Sequence, residues 1–134
     1  MAAIATLRDI ALPYGALLAR ILLAAVFLYS GQDKLRHWTA AISEVAELGL
    51  PWPRLFAGAT IAVQLLGGLA VLSGVGAALG AAALAAFTIV ATLVGHRFWL
   101  LHGDSEKREF TTSLEHLAIV GGLLLVILNA LQEG

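Results

Sequence analysis

Between Ala16 and Trp38 the chain reads ALLARILLAAVFLYSGQDKLRHW. Most of this stretch suits hydrocarbon, yet it holds Arg20 and closes on a polar cluster. At about 100° per residue, Arg20, Ala24, Phe27, Gly31 and Lys34 fall within about 40° of one line along a helix. One helix face thus carries a charge at each end. Counted along the apolar run, Arg20 falls near mid-bilayer, where a guanidinium costs about 2.5 to 3.5 kcal/mol unless a partner, water or the interface receives it. Its side chain is therefore expected to face other helices.

The composition around this segment decides for the membrane. Of 134 residues, 60% are hydrophobic and only 13% charged, and the mean hydropathy of +0.89 lies well outside the range of ordinary soluble domains. Low charge marks four runs, Leu12 to Tyr29, Leu55 to Leu72, Ala77 to Val94 and Leu117 to Leu131. A hydrocarbon core of about 30 Å takes about 20 helical residues, so the first three approach spanning length and the fourth is short. The expected fold is all-α, a transmembrane four-helix bundle forming a single domain over residues 1–134, with a short interfacial helix between helices one and two. The first run is read as a retained span and not a signal peptide, because it is long, contains Arg20 and is followed by LYSGQDK instead of a small-residue cleavage site.

There are no cysteines, which excludes disulfides, thiolate-held iron–sulfur clusters and thiol catalysis, so any redox chemistry would need a bound cofactor. The net charge is −1 with scattered basic residues, and no nucleic-acid partner is expected.

Helix one is expected to start near Pro13 and run to about Lys34. In RHWTAAISEVAELGLPWP, Trp38, Ala41, Ile42, Val45 and Leu48 recur at helical spacing opposite Ser43, Glu44 and Glu47, the pattern of a helix lying in the interface plane. Gly49 can cap it, and Pro51, Trp52 and Pro53 mark the turn into helix two. SGVGA reads as a tight turn and LLHGDSEKREF as a polar loop. Gly67, Gly68, Gly76, Gly80, Gly121 and Gly122 are read as packing positions. Lys34, Arg36, Arg54, Arg97, Lys107 and Arg108 lie at the loop side against Arg8 at the terminal side. That asymmetry places both termini outside a cell membrane, with a bacterial inner membrane expected.

A second polar set lies on the other helices. Gln64 is expected at a depth similar to that of Arg20. The fourth run is too short to cross unless it extends back to about Phe110, which immerses Glu115 and His116. Helix three ends in TLVGHRFW, placing His96 near His116, with Thr92 and Thr88 one and two turns deeper. Lys34, His96, Glu115 and His116 would then converge, with Gln64 and Arg20 below, in a recess open toward the loops and floored by Arg20. His96, His116 and Glu115 are the candidate catalytic residues, and Arg20, Lys34 and Gln64 candidate binding residues. Plainer roles stand beside these: Lys34 and Arg97 as snorkelling side chains, His37 and His102 as interfacial loop residues, His96 and His116 as hydrogen-bonded structural groups, and Glu115 as an ion-pair partner. No metal site is expected. His96 and His116 resemble a haem's axial pair, with Glu115 as an added oxygen ligand, but no HxxxH, HxxE or cysteine spacing supports it, so haem is the weaker cofactor reading.

The segments LARILLAAVFLYSGQDKL, GLPWPRLFAGATIAVQLLGGLAVLSGVGAALGAAALAAF, ATLVGHRFW and EHLAIVGGLLLVILNA resemble, in order and spacing, the DoxX family of small four-helix membrane proteins. The resemblance covers nearly the whole chain. The family's pattern of an Arg, an apolar run, Ser-Gly and Lys-Leu is matched by Arg20, Ser30, Gly31, Lys34 and Leu35, and the His closing the third helix by His96. Two departures are visible. Gln64 stands where the family usually has a Glu, and Glu115 and His116 stand where it usually has a basic residue and Asn. A carboxylate gained at position 115 as the one at position 64 is lost reads as charge compensation between helices.

The resemblance implies a subunit of a membrane oxidoreductase, since relatives include subunits of a thiosulfate:quinone oxidoreductase and of terminal quinol oxidases, while many members have no assigned activity. A quinone is the cofactor it implies: Arg20 or Lys34 would bond a carbonyl oxygen, His96 or His116 would exchange its proton, and Phe27 would pack on the ring. With no nucleotide, flavin or cysteine motif, the chain is not expected to be a complete enzyme alone. Its expected partners are the lipid bilayer, a quinone-like or other amphipathic molecule, and a protein subunit or a second copy. The rival reading is a non-enzymatic membrane scaffold or assembly factor whose polar residues only fix the bundle. A small transporter would need a polar path past Arg20, where Pro13, Tyr14, Gly15 and Asn129 offer little.

Overall fold

The computed structural model describes residues 1–95 and 103–133. Five helices occur among them: α1 (Ala2–Arg36), α2 (Trp38–Glu47), α3 (Pro53–Ser73), α4 (Ala77–Gly95) and α5 (Asp104–Glu133). All but α2 are long and apolar enough to cross a membrane. Their outward faces carry Leu22, Leu66, Leu79 and Leu125 exposed, the surface a lipid solvent requires.

Two boundaries differ from expectation. α1 runs through Pro13 instead of starting there; alanine and leucine on both sides favour helix strongly, and the proline removes one backbone hydrogen bond. α5 begins at Asp104, so most of the polar segment expected as a loop is helix. Asp104 and Glu106 occupy its first turn, where acidic groups complement the positive end of the helix dipole.

α2 forms where expected, with Ala41 buried and Ile42 and Val45 half-buried, while Trp38 and Leu48 of the same apolar face are exposed. Gly49 follows it at φ +81°, and Trp52 takes a left-handed φ of 49° ahead of Pro53 at the start of α3. Two prolines around a tryptophan thus turn the chain sharply into the bundle.

α1 packs on α3, α3 on α4 and α4 on α5, and α5 touches α1 to close the ring, with α2 laid over α1 and α3. Adjacent glycines place α3 between two neighbours. A Cβ on Gly68 would meet Leu28 of α1 at 2.9 Å, and one on Gly67 would meet Leu84 of α4 at 2.7 Å. α4 approaches equally closely through Gly80, whose added Cβ would lie 2.6 Å from that of Ala70. Ala24, Val71, Ala81, Leu84 and Leu123 are completely buried and fill the bundle's centre.

The antiparallel register of α1 against α3 sets depth along the bundle. Gly31 faces Leu65, Leu28 faces Gly68, and Arg20 lies beside Gly74 in the turn between α3 and α4. Residues Ala2 to Gly15, all exposed, extend past that turn.

Candidate functional site

The predicted stripe on α1 is real: Ala24, Phe27 and Gly31 are buried and Arg20 and Lys34 half-buried. Its two charges, however, serve different recesses. Toward the loop end, α3 and α4 separate below their close contact at Gly67 and Gly80. A cavity of about 590 Å³ opens there, roofed by Ala41, Glu44 and Val45 of α2. That volume lies within the roughly 300–1,000 Å³ of small-molecule sites. Its walls are mostly apolar, with Phe27, Val63, Phe87 and Ile119 among them, and its polar members are Ser30, Lys34, Glu44, Thr60, Gln64, Thr88 and His116.

Ser30 organises the polar wall. Its hydroxyl oxygen accepts a bond from Lys34 Nζ at 2.7 Å and one from Gln64 Nε2 at 3.2 Å. The lysine, one helical turn further on, is thereby folded back toward the cavity. Both lone pairs of the serine are engaged, so its proton remains to be donated. Gln64 is 5% exposed, and its Oε1 is buried with no hydrogen-bond partner among the described residues. An amide oxygen left so loses water without recompense, at about 1–3 kcal/mol.

Across the cavity, His116 Nδ1 lies 2.8 Å from Thr92 Oγ1, which is itself 2.6 Å from the Thr88 carbonyl. The threonine has one proton, and the carbonyl can only accept it. Nδ1 must therefore carry a hydrogen and donate to Thr92, an assignment made from the bonding network. Thr88 repeats the pattern by donating to the Leu84 carbonyl at 2.8 Å.

Two expected members of the site, Glu115 and Arg20, fall elsewhere. Glu115, one residue from His116, is carried round the helix to an exposed outer position and does not line the cavity. The expected compensation of Gln64 by Glu115 therefore fails, and the carboxylate that shares the recess with Lys34 is Glu44, exposed at its roof. His96 lies outside the described residues, as do Arg97 and His102. Arg20 is not the floor. It stands fourteen residues from Lys34, about 21 Å along the helix, and lines a separate cleft of about 410 Å³ with Gly74, Ala77, Asn129 and Glu133 at the terminal end. Gln64, opposite Gly31, is likewise not at Arg20's depth. Between the two recesses every helix of the bundle contributes a buried apolar residue: Ala24, Val71, Ala81 with Leu84, and Leu123.

Ser30, Thr60 and Glu44 were not foreseen as site residues. Ser30 had a readable signal, four residues before Lys34 on one helix; Glu44 had none, since it sits on what reads as the solvent face of α2. Among the described residues no cluster of three or more histidines and carboxylates could hold a metal ion.

The family model described as DoxX matches residues 15–97, more than half of the chain. The chain is also similar to the Inner membrane protein YphA of Escherichia coli (strain K12), at 24% identity over 113 residues, covering 84% of this chain and 81% of the relative. No solved structure gives a significant match.

Proposed function

We propose, from the premise that the chain belongs to the DoxX family, that its loop-side cavity binds the ring of a quinone or quinol. The observation that carries this reading is the buried Gln64 Oε1, without a partner among the described residues, beside the donors of Ser30 and Lys34. A purely structural cluster would be expected to satisfy itself, because orphaned buried acceptors are disfavoured. A quinol completes this one: one hydroxyl donates to Gln64, and a hydroxyl oxygen accepts from Ser30 or Lys34. The quinone, which has no O–H, keeps only the contacts to Ser30 or Lys34, so the site holds both forms and favours the reduced one. Phe27, 4% exposed, supplies an apolar flank for a ring, and His116 is the titratable group placed to exchange a proton.

A bound quinone supplies two-electron chemistry, and this chain's residues would orient the ring and handle protons. Electrons would pass to or from a partner subunit, since the chain has no cysteine to ligate a cluster. The bundle lies in a bacterial inner membrane with both termini outside. Lys34, Arg36, Arg54, Lys107 and Arg108 at the loop end outweigh Arg8 and Arg20 at the other.

Titration of the purified protein in detergent with decylubiquinol and with decylubiquinone, followed by intrinsic fluorescence, tests the reading. Gln64→Leu removes one acceptor bond to the ligand, about 1 kcal/mol, and should weaken reduced-ligand binding about five- to tenfold. Ligand-free stability should hardly change, because the bond lost to Ser30 is offset by removal of the orphaned oxygen. Unchanged binding together with a clear loss of stability would establish the structural role instead.

A further inference from the structure

The cleft at the terminal end is independent of the loop-side cavity. Arg20 Nε is buried without a hydrogen-bond partner among the described residues, and a Cβ on Gly74 would lie 2.7 Å from Arg20 Nη1. The guanidinium thus lies against the α3–α4 turn, where Gly74 takes a left-handed φ of +83°. Among the described residues no carboxylate forms an ion pair with it. Leu22, Leu23, Leu125 and Val126 line the deeper part of the cleft, while Arg20, Asn129 and Glu133 line it at the terminal end. The gradient from apolar to charged follows the bundle axis, as it does in a lipid.

We infer that this cleft is a specific site for one phospholipid with a primary-ammonium headgroup, in the leaflet on the terminal side. Arg20 takes the phosphodiester as a bidentate donor, Asn129 adds an amide donor, and the Glu133 carboxylate receives the ammonium. The aliphatic walls receive the first methylenes of the acyl chains. Both signs of charge are needed, which separates this headgroup from an anionic glycerol one. The carboxylate would repel extra negative charge, whereas a trimethylammonium headgroup has no N–H to donate.

Native mass spectrometry of the full chain in nonionic detergent tests this, with phosphatidylethanolamine, phosphatidylglycerol and phosphatidylcholine added at equal concentration. The expected result is one phosphatidylethanolamine retained at several-fold higher occupancy than either competitor. Arg20→Gln should lower that occupancy at least about fivefold, and Glu133→Gln should raise phosphatidylglycerol to parity. Glu133 is exposed at the end of α5, so that variant tests the site even where Arg20→Gln misfolds. Lys34→Gln, at the other end of the bundle, should leave lipid occupancy unaltered. Equal retention of the three lipids by the native chain, or the same lipid pattern after Glu133→Gln, would overturn the inference.

Discussion

At the residue scale, much depends on Ser30, because two donors share its oxygen. Ser30→Ala would leave Gln64 Nε2 buried and unpaired and release Lys34 to the interface. Thermal unfolding in detergent should show a loss of about 1–2 kcal/mol, with weaker decylubiquinone binding. No change in either would remove the serine from the account. The sequence marked Lys34, Gln64 and His116 as members of a recess because ionisable and amide groups in apolar helices demand explanation. Arg20 lies shallower than its place in the apolar run from Leu12 suggests, because depth in the bundle is set by packing register. Gly74 beside Arg20 puts the arginine level with a turn, where its charge can meet headgroups and water instead of the hydrocarbon centre. The stretch from Ala16 to Trp38 thus carries one apolar segment bracketed by two polar stations, one for each end of the membrane.

At the element scale, glycine decides how closely helices meet and so where they part. Gly67 and Gly80 hold α3 against α4 near the bundle's centre, and the cavity forms where Phe56, Thr60 and Val63 face Phe87, Val90 and Ala91 beyond that contact. Gly80→Val should push the helices apart and destabilise the bundle by about 1–3 kcal/mol. Gly121→Ala, whose Cβ would meet nothing within 4 Å, should stabilise by up to about 1 kcal/mol through helix propensity. Thermal unfolding of the pair checks this; equal effects would mean that close approach at Gly80 is not structural. The GxxxG-like spacings were visible in the sequence, but which glycine faced which neighbour was not, since a small residue reads the same on every side. The α1 and α5 starts differ from the sequence expectation, because a proline and a run of charges are punctuation that long helices can absorb.

At the scale of the whole molecule, two recesses at opposite ends are separated by a dry layer of Ala24, Val71, Leu84 and Leu123. That arrangement opposes a continuous polar path. It also makes orientation decisive, because a loop-side ligand site and a terminal-side lipid site would address different compartments. The absence of cysteine makes topology accessible to single-cysteine labelling. Ser105→Cys should react with an impermeant maleimide only after the cells are opened, and Thr6→Cys should react in intact spheroplasts. The reverse pattern would invert the assignment.

The claim on which the rest turns is that a quinone-type ring occupies the cavity beneath α2. Photoaffinity labelling of the reconstituted chain with an azidoquinone, followed by peptide mapping, tests it most directly. The account predicts adducts concentrated on Phe27 to Lys34, Thr60 to Gln64 and Phe87 to Ala91, and competed away by decylubiquinone. Adducts scattered over lipid-facing positions such as Leu22, Leu66 and Leu125, indifferent to competitor, would contradict it.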